Sequence, residues 1–139
     1  MSVTKTSRDA VRAAIAALSA VIADGVVVTA AWIPDIERTE EDPLRIVVAP
    51  SERIATVEAR GVTSDTVAVD VGVFAALKTG SEETRAEAVQ TMVDAIIEGL
   101  LTKRVGNQRV IAAEQVVVMS VENWRRNRMA ASFIKFTLR

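Results

Sequence analysis

Cysteine, histidine and tyrosine are all absent from this chain of 139 residues. Without cysteine there is no disulfide, no thiolate nucleophile and no cysteine-ligated zinc site. Without histidine the Ser-His-Asp and Cys-His arrangements are excluded, together with the usual imidazole metal ligands. Carboxylates, lysine, arginine, serine and threonine remain for chemistry. The sequence therefore predicts no catalytic site, no metal and no cofactor.

The chain also has no excess of charge of one sign and no long apolar run. The chain has 17 basic and 18 acidic residues, and the resulting net charge of −1 is not typical of a globally basic nucleic-acid binder. No apolar run approaches the roughly 18 residues of a membrane helix, so no membrane partner is predicted. Half of the residues are nevertheless hydrophobic, which excludes disorder as the main state. The length is that of about one domain, spanning 1–139.

Helical spacing of apolar residues predicts two amphipathic helices. The first begins near Thr6 or Ser7 and ends at Gly25. The second begins at Ser81 and ends near Gly106, and Gly99 inside it is predicted to allow close packing on a sheet. The apolar stripe of the first helix consists of Val11, Ala14, Ile15, Leu18, Val21 and Ile22.

Alternating residues predict the strands between and after these helices. The clearest case is residues 67–74, where valine occupies every second position and the other face is more polar. Such alternation is typical of an antiparallel sheet with one face on the core. The remaining predicted strands are 26–33, 44–49 ended by Pro50, 110–121 and 129–138. The predicted fold is α+β, an antiparallel or mixed sheet of about five strands with two amphipathic helices packed on one face.

Three groups of carboxylates could in principle carry acid–base chemistry. The run Glu40-Glu41-Asp42 lies in a polar loop, and Glu82-Glu83 is explained by the start of a helix. Asp70 lies in the middle of a strand, where pairing with a cross-strand Arg or Lys or contact with solvent is the more common role. None of the three forms a credible dyad, so the chain is not expected to be an enzyme.

Two segments of opposite charge are the best candidates for contacts with other proteins. Residues 35–42 carry five acids and one base, whereas 109–139 carry six bases and two acids. Opposite charges in separate segments suit head-to-tail contact between copies, or a contact within one chain. Arginines surround Trp124 in the predicted basic loop 122–128, which fits a protein interface, a solvated loop or a nucleic-acid patch.

The order of these elements resembles a known protein family. A helix is followed by a strand, an acidic loop and a second strand, then by SDTVAVDVGVF, the helix SEETRAEAVQTMVDAIIEGLL and the closing strand RMAASFIKFTLR. This pattern, from Ser7 to Arg139, resembles the tail-terminator (tail-completion) proteins of long-tailed bacteriophages and related particles. The resemblance implies an α+β subunit of a six-fold ring that caps the tail tube, ends its polymerisation and presents the surface that joins the head.

The resemblance also implies where the protein works and what it binds. We expect a virion protein at the head–tail junction, made in the host cytoplasm. Its partners would be further copies of itself, the tail tube protein and a head-completion or neck protein, with DNA passing through the ring without sequence-specific binding. The family offers no catalytic residues, and its contacts lie in loops and ring edges. The corresponding candidates here are Asp35, Glu37, Arg38, Glu40, Glu41, Asp42, Arg53, Arg60, Trp124, Arg125, Arg126, Arg128 and Phe133.

Other functions remain open at this stage. Another neck component, such as a head-completion adaptor, would have much the same sequence pattern. A small oligomeric α+β enzyme with a carboxylate-only site between subunits is the rival from another class. A regulatory ligand-binding module is the third.

Overall fold

The computed structural model describes residues 2–34 and 44–139. Within these ranges the chain forms, in order, α1 (Val3–Ala16), α2 (Ser19–Asp24), β1 (Val27–Ala30), β2 (Arg45–Ala59), β3 (Val62–Ala76), α3 (Glu82–Leu100), β4 (Arg104–Val105), β5 (Gln108–Val117), α4 (Val121–Arg126) and β6 (Met129–Leu138).

The strands form a sheet in the order β1-β2-β3-β6-β5-β4. β1 runs parallel to β2, and the other neighbouring pairs are antiparallel. The predicted α+β fold with a mixed sheet is therefore confirmed. The strand beyond the predicted five is β4, a two-residue strand that follows α3 and pairs with the start of β5.

The main core lies between one face of the sheet and the helices α1 and α3. The alternating residues of β3 and β6 on this face are fully buried, as their spacing predicts: Val67, Val69, Val71, Val73, Ile134, Phe136 and Leu138. The two helices contribute Val11, Ile15, Val89, Val93 and Ile96. Each buried Val, Ile or Phe side chain stabilises the fold by about 1.5–3 kcal/mol.

The opposite face of the sheet also carries buried apolar residues, which corrects the prediction of a polar second face. Phe74 is buried there, and its ring meets that of Phe133 edge-on with centroids 5.6 Å apart. Gly72 is the cross-strand partner of Phe133. A Cβ at Gly72 would lie 2.6 Å from the Phe74 ring, so glycine leaves the room that this ring needs.

The first predicted helix is in fact two helices. α1 begins after Ser2, whose hydroxyl accepts a hydrogen bond from the Lys5 amide, several residues before the predicted start. The break between α1 and α2 places Leu18 against Gly99 of α3, where an added Cβ would lie 2.5 Å from Leu18 Cδ2. Gly99 therefore permits close contact with this helix junction, and the predicted contact with the sheet is wrong. Gly25 ends α2 in the left-handed conformation, as predicted.

β2 and β3 form a hairpin that extends beyond the rest of the sheet. β2 was expected to end at Pro50 but continues, because a register shift between Pro50 and Glu52 accommodates a residue without an N–H. β6 pairs with β3 only from Val67 onward, and β1 pairs with β2 only as far as Val48. Residues 52–66 are thus a two-stranded arm, and in the described part of the chain neither of its edges pairs with a third strand.

Residues 122–128 differ from the predicted basic loop. Most of them belong to α4, whose first turn is capped by the Ser120 hydroxyl accepting from the Asn123 amide. The chain leaves α4 through Arg128, which has a positive φ of 50°. The sequence ENWRRNR contains no apolar repeat at helical spacing, because a helix of six residues is too short to show one.

Candidate interaction surfaces

The predicted interface residues fall in several separate places. Six of them, Asp35, Glu37, Arg38, Glu40, Glu41 and Asp42, lie outside the described residues. The others lie in the arm, in and after α4, and on the second face of the sheet. The structure therefore does not bring the described candidates together at one site.

The arm carries Arg53 and Arg60. Arg53 forms an ion pair with Asp65 on the opposite strand, with Nε and Oδ1 2.9 Å apart. Arg60 is exposed beside Gly61, which turns the tip of the arm with a φ of 77°. Arg53 therefore links the two strands of the arm, whereas the role of Arg60 in an interface stays a prediction.

Polar pairs connect the arm to Lys135 in β6 and to Arg139 just after it. Lys135 Nζ lies 3.3 Å from Glu52 Oε2. Arg139 pairs with Glu58, which also accepts a hydrogen bond from the Ser64 hydroxyl. The hydrogen bond from Arg139 is the main cause that lowers the pKa of Glu58. These exposed contacts orient the arm, although each contributes little stability on its own.

The arm also exposes large apolar side chains, which the sequence prediction did not single out. Ile54, Val57 and Val62 have 52–72% of their surfaces exposed. An isolated two-stranded hairpin is only marginally stable in water, and open strand edges readily pair with other chains. An exposed apolar arm with two open edges is therefore suited to contact another protein.

α4 holds Trp124 and two of its predicted neighbours. Trp124 is half-buried and packs against the main core. On its exposed side it lines a cavity of about 400 Å³ with Met119, Ser120, Val121 and Arg125. Arg126 lies 3.7 Å from Glu122 in a highly exposed pair. Trp124 therefore has a role in the packing of the subunit, and its role in an interface stays a prediction.

Arg128 and Phe133 lie apart from Trp124 and its neighbours. Arg128 Nη2 lies 3.1 Å from Glu82 Oε1 at the start of α3. The pKa of the Glu82 carboxyl is lowered, first by a hydrogen bond from its own backbone amide and then by the bonds from Arg128 and the Gly80 amide. Phe133 packs edge-on against Phe74 on the second face. Both residues therefore have structural partners within the subunit.

Asp70 lies on the second face with a polar surround. Its cross-strand partner is Lys135, and Ser51 donates a hydrogen bond to its carboxyl. Burial raises the pKa of Asp70 and is the largest effect. The hydrogen bond from Ser51 and the charge of Lys135 lower this pKa by less. The predicted cross-strand partner of Asp70 is therefore present.

The substitution Asp70→Asn is expected to raise slightly, or leave unchanged, the free energy of unfolding at pH 7. A folded-state pKa above the unfolded value means that stability from this group is fully present below the unfolded pKa and is lost as pH rises through the folded pKa. Asparagine mimics the protonated form and removes this loss. The gain should disappear at about pH 3, where the carboxyl is protonated in both states. Urea unfolding at both pH values tests this.

The control for Asp70→Asn is Glu122→Gln, because the Glu122 side chain is highly exposed. A large loss of stability in Asp70→Asn at pH 7 would mean that attraction to Lys135 outweighs the cost of burial. No change in Glu122→Gln under the same conditions would show that the effect belongs to Asp70.

A second cavity lies between the start of α1, the β4–β5 turn and the arm. It measures about 420 Å³. Ser7 is buried beside it and donates to Gln108 Oε1 at 2.6 Å, and Gln108 in turn donates to the Asp65 carbonyl. Its polar wall is thus satisfied within the subunit. Among the described residues, no side-chain polar atom that is buried lacks a hydrogen-bond partner.

Exposed apolar residues also occur in and after the strands β1 and β5. On the side of β1, Val27, Trp32 and Ile33 are more than half exposed. On the side of β5, the residues exposed to the same degree are Ile111, Val116, Val118 and Val121. The sequence prediction missed both sets, because they lie in segments that read as ordinary buried strands.

Across residues 2–34 and 44–139, no cluster of acidic side chains could hold a metal ion, and no helix there has the length and apolar character needed to cross a membrane. Neither a scan against protein-family models nor a search of curated proteins finds a match to this chain.

Proposed function

We propose that the chain is a structural subunit that assembles into a six-fold ring, caps the tail tube of a phage-like particle and offers the surface to which the head is joined. The observation that carries the proposal is the arm at residues 52–66. Its exposed apolar side chains and open strand edges are better suited to contact with another protein than to full exposure to water. The resemblance in the order of elements supplies the identity of the partners.

The remaining features agree with an assembly subunit. Exposed apolar residues occur in three places: on the arm, in and after β1, and in and after β5. A subunit of a capped tube needs contacts with two ring neighbours and with partners above and below, namely the tube protein and a neck or head-completion protein. DNA would pass through the opening without sequence-specific contacts. Its site of action would be the head–tail junction of the virion.

Two alternatives have the same subunit but different partners or chemistry. A neck or head-completion adaptor would also form rings, yet it would not stop the growth of tail tubes. An enzyme with a carboxylate-only site would centre on Asp70, whose pKa is raised. Under the proposal, no single Asp or Glu substitution abolishes function by a chemical route, and turnover of a substrate that is lost in Asp70→Asn would support the enzyme instead.

The proposal is tested by adding the purified chain to polymerising tail tube protein. We expect six-fold rings in electron micrographs, bound at tube ends, and tubes that stop growing. Sedimentation over a range of concentrations measures association without tubes. A chain that stays monomeric at high concentration and leaves tube growth unchanged would contradict the proposal. Rings that form but leave tube growth unchanged would favour the adaptor.

A further inference from the structure

We propose that a row of three arginines at one end of the sheet binds the phosphodiester backbone of a nucleic acid. The arginine row consists of Arg104 in β4, Arg109 in β5 and Arg139 just after β6, and all three are exposed. This site goes beyond the proposed function, which assigns no residue of the subunit to a nucleic acid. It does not depend on the assembly of a ring, because one subunit contains the whole row.

The strand register places the three arginines side by side. Arg104 is the cross-strand partner of Arg109 in the pairing of β4 with β5. The backbone of Arg109 exchanges two hydrogen bonds with that of Arg139, at 2.9 and 3.0 Å. A pair joined in this way has Cα atoms about 5.5 Å apart, and a pair without such bonds about 4.5 Å. Since Arg139 uses both backbone groups of Arg109, the pair of Arg109 with Arg104 is of the closer kind.

The three side chains share the second face of the sheet. Residues directly opposite each other in antiparallel strands lie on the same face. Val110 follows Arg109 and Leu138 precedes Arg139, and both apolar residues are fully buried in the main core. Because successive residues of a strand point to opposite faces, the arginines point away from that core. The result is an exposed row of positive charge about 10 Å long.

Two of the three guanidinium groups have no partner in the part of the chain that the structure describes. Arg139 pairs with Glu58, whereas Arg104 and Arg109 form no ion pair and no side-chain hydrogen bond with any described residue. Lys103, next to Arg104, is exposed as well. The row therefore carries positive charge that the described subunit does not neutralise.

Carboxylates on the adjoining strands are engaged by other groups. Glu58 accepts from the Ser64 hydroxyl in addition to its pair with Arg139. The others lie beside bases of their own: Asp65 pairs with Arg53, and Glu114 lies opposite Lys135 in the sheet register. These acids leave the charge of Arg104 and Arg109 available to a ligand.

The direction of the row separates it from a device that only protects a sheet edge. Charges that discourage the pairing of an edge strand with another chain lie on that strand. This row instead crosses the sheet from the edge strand β4 through β5 to the end of β6. Like charges directly opposite each other are unfavourable in a sheet. An anion that bridges the guanidinium groups relieves this repulsion, so the row is suited to a ligand with several negative charges.

A row of cations favours phosphates over the carboxylates of a protein. An acidic protein surface would have to set carboxylates side by side to cover the row, and these repel one another before binding. A nucleic-acid strand holds its charges in a row through its covalent structure, with about one per 3.4 Å of duplex axis. Over the ~10 Å of the row, one strand offers about three phosphates. Each guanidinium group can bind a phosphate through two parallel hydrogen bonds.

The surroundings of the row favour contact with the backbone rather than with bases. Residues 101–118, which supply Arg104 and Arg109, include no aromatic residue. Phe136 of β6 is fully buried in the main core. Stacking of unpaired bases requires exposed aromatic side chains. We therefore expect a DNA duplex to bind without regard to its sequence.

Fluorescence anisotropy of a labelled DNA duplex of mixed sequence tests this site. With two unpaired arginines on phosphates, the affinity per bound subunit should fall about tenfold between about 50 and 200 mM salt. The variant carrying Arg104→Gln and Arg109→Gln should bind at least about tenfold more weakly at the lower salt concentration. Its free energy of unfolding, measured in urea, should stay the same or rise slightly, because two adjacent like charges are removed.

The matched control carries Arg125→Gln and Arg126→Gln, which removes the same charge from two exposed arginines of α4. It should bind the duplex within about twofold of the unmodified chain. The proposal is overturned if the unmodified chain does not bind the duplex at ~1 mM and low salt. It is also overturned if both double variants lose affinity equally, which would mean that net charge alone governs binding. Polyglutamate binding as tightly as the duplex would overturn it in favour of an acidic protein. Capping of tail tubes is measured separately, so the proposed function is judged independently.

Discussion

Under the proposed function, replacing Ile54, Val57 and Val62 by serine is expected to leave the subunit folded and to weaken binding to tail tubes about 100-fold. Each side chain has more than half of its surface still exposed, so burying it in a contact stabilises the complex by ~1 kcal/mol. Three such losses give about 3 kcal/mol, and every 1.4 kcal/mol is tenfold in affinity. Cosedimentation with tail tubes at increasing protein concentration measures the change.

The arm provides its own control for this experiment. Ala55, Ala59 and Thr63 are also exposed on the arm but have small side chains. Changing them to serine keeps the hairpin and removes little apolar surface, so binding should stay within about threefold of the unmodified chain. If both triple variants bind tubes equally well, the apolar side chains of the arm are not part of the contact. If only the first one unfolds, the arm contributes to the subunit itself.

Phe136→Ala is expected to lower the free energy of unfolding by about 4 kcal/mol. The Phe136 side chain is fully buried in the main core, on the central strand pair of the sheet. Truncation removes its burial and leaves a cavity that the surrounding strands fill only in part. Since a domain of this kind is stable by only about 5–15 kcal/mol, the loss should be visible as a much lower midpoint in urea.

Phe133→Ala on the same strand is the matched comparison. Phe133 points to the second face and is half-buried against Phe74, so its truncation should cost ~1–2 kcal/mol. The difference between the two variants measures which face of the sheet holds the main core. Equal losses would show that the second face is packed as tightly as the first.

Period-two and helical patterns predicted the parts of the fold in which burial alternates regularly. The valines of β3 and the residues of β6 follow the alternation, and the long helix α3 begins after Ser81 as expected. In these elements one face packs against the main core, and the other face is less regularly buried. The spacing of apolar residues in the sequence follows the face that packs against the main core, so these elements are predictable from it.

Sequence patterns gave wrong predictions where contacts with other parts of the fold determine the local structure. Leu18 fits the helical stripe, yet its contact with Gly99 of α3 coincides with a break between two helices. Pro50 is an ordinary strand terminator, but a bulge on the edge of β2 tolerates it. Ser120 caps a helix too short to have a periodic signature. In each case the deciding contact lies far away in the sequence or is confined to one turn.

The candidate surfaces were predicted less well than the fold. Trp124 and the nearby arginines were chosen because those residue types dominate protein interfaces. The structure instead exposes Ile111 and Val116, two aliphatic residues in a strand that reads as buried. Their exposure results from register shifts against β6, and a register shift leaves no mark in the sequence of the bulged strand alone.

The position of β6 in the centre of the sheet has a consequence for the newly made chain. Ala76 pairs with Met129 and Val67 with Leu138, so the partners of β3 lie 53 to 71 residues further along the chain. At about 5–20 residues per second, a ribosome needs several seconds or more to deliver them. During that interval the edge of β3 that pairs with β6 is unpaired, and the valines that the folded subunit buries are still exposed to water. Two outcomes therefore compete in a newly made chain: β6 completes the sheet of its own subunit, or the open side of β3 pairs with a strand of another copy.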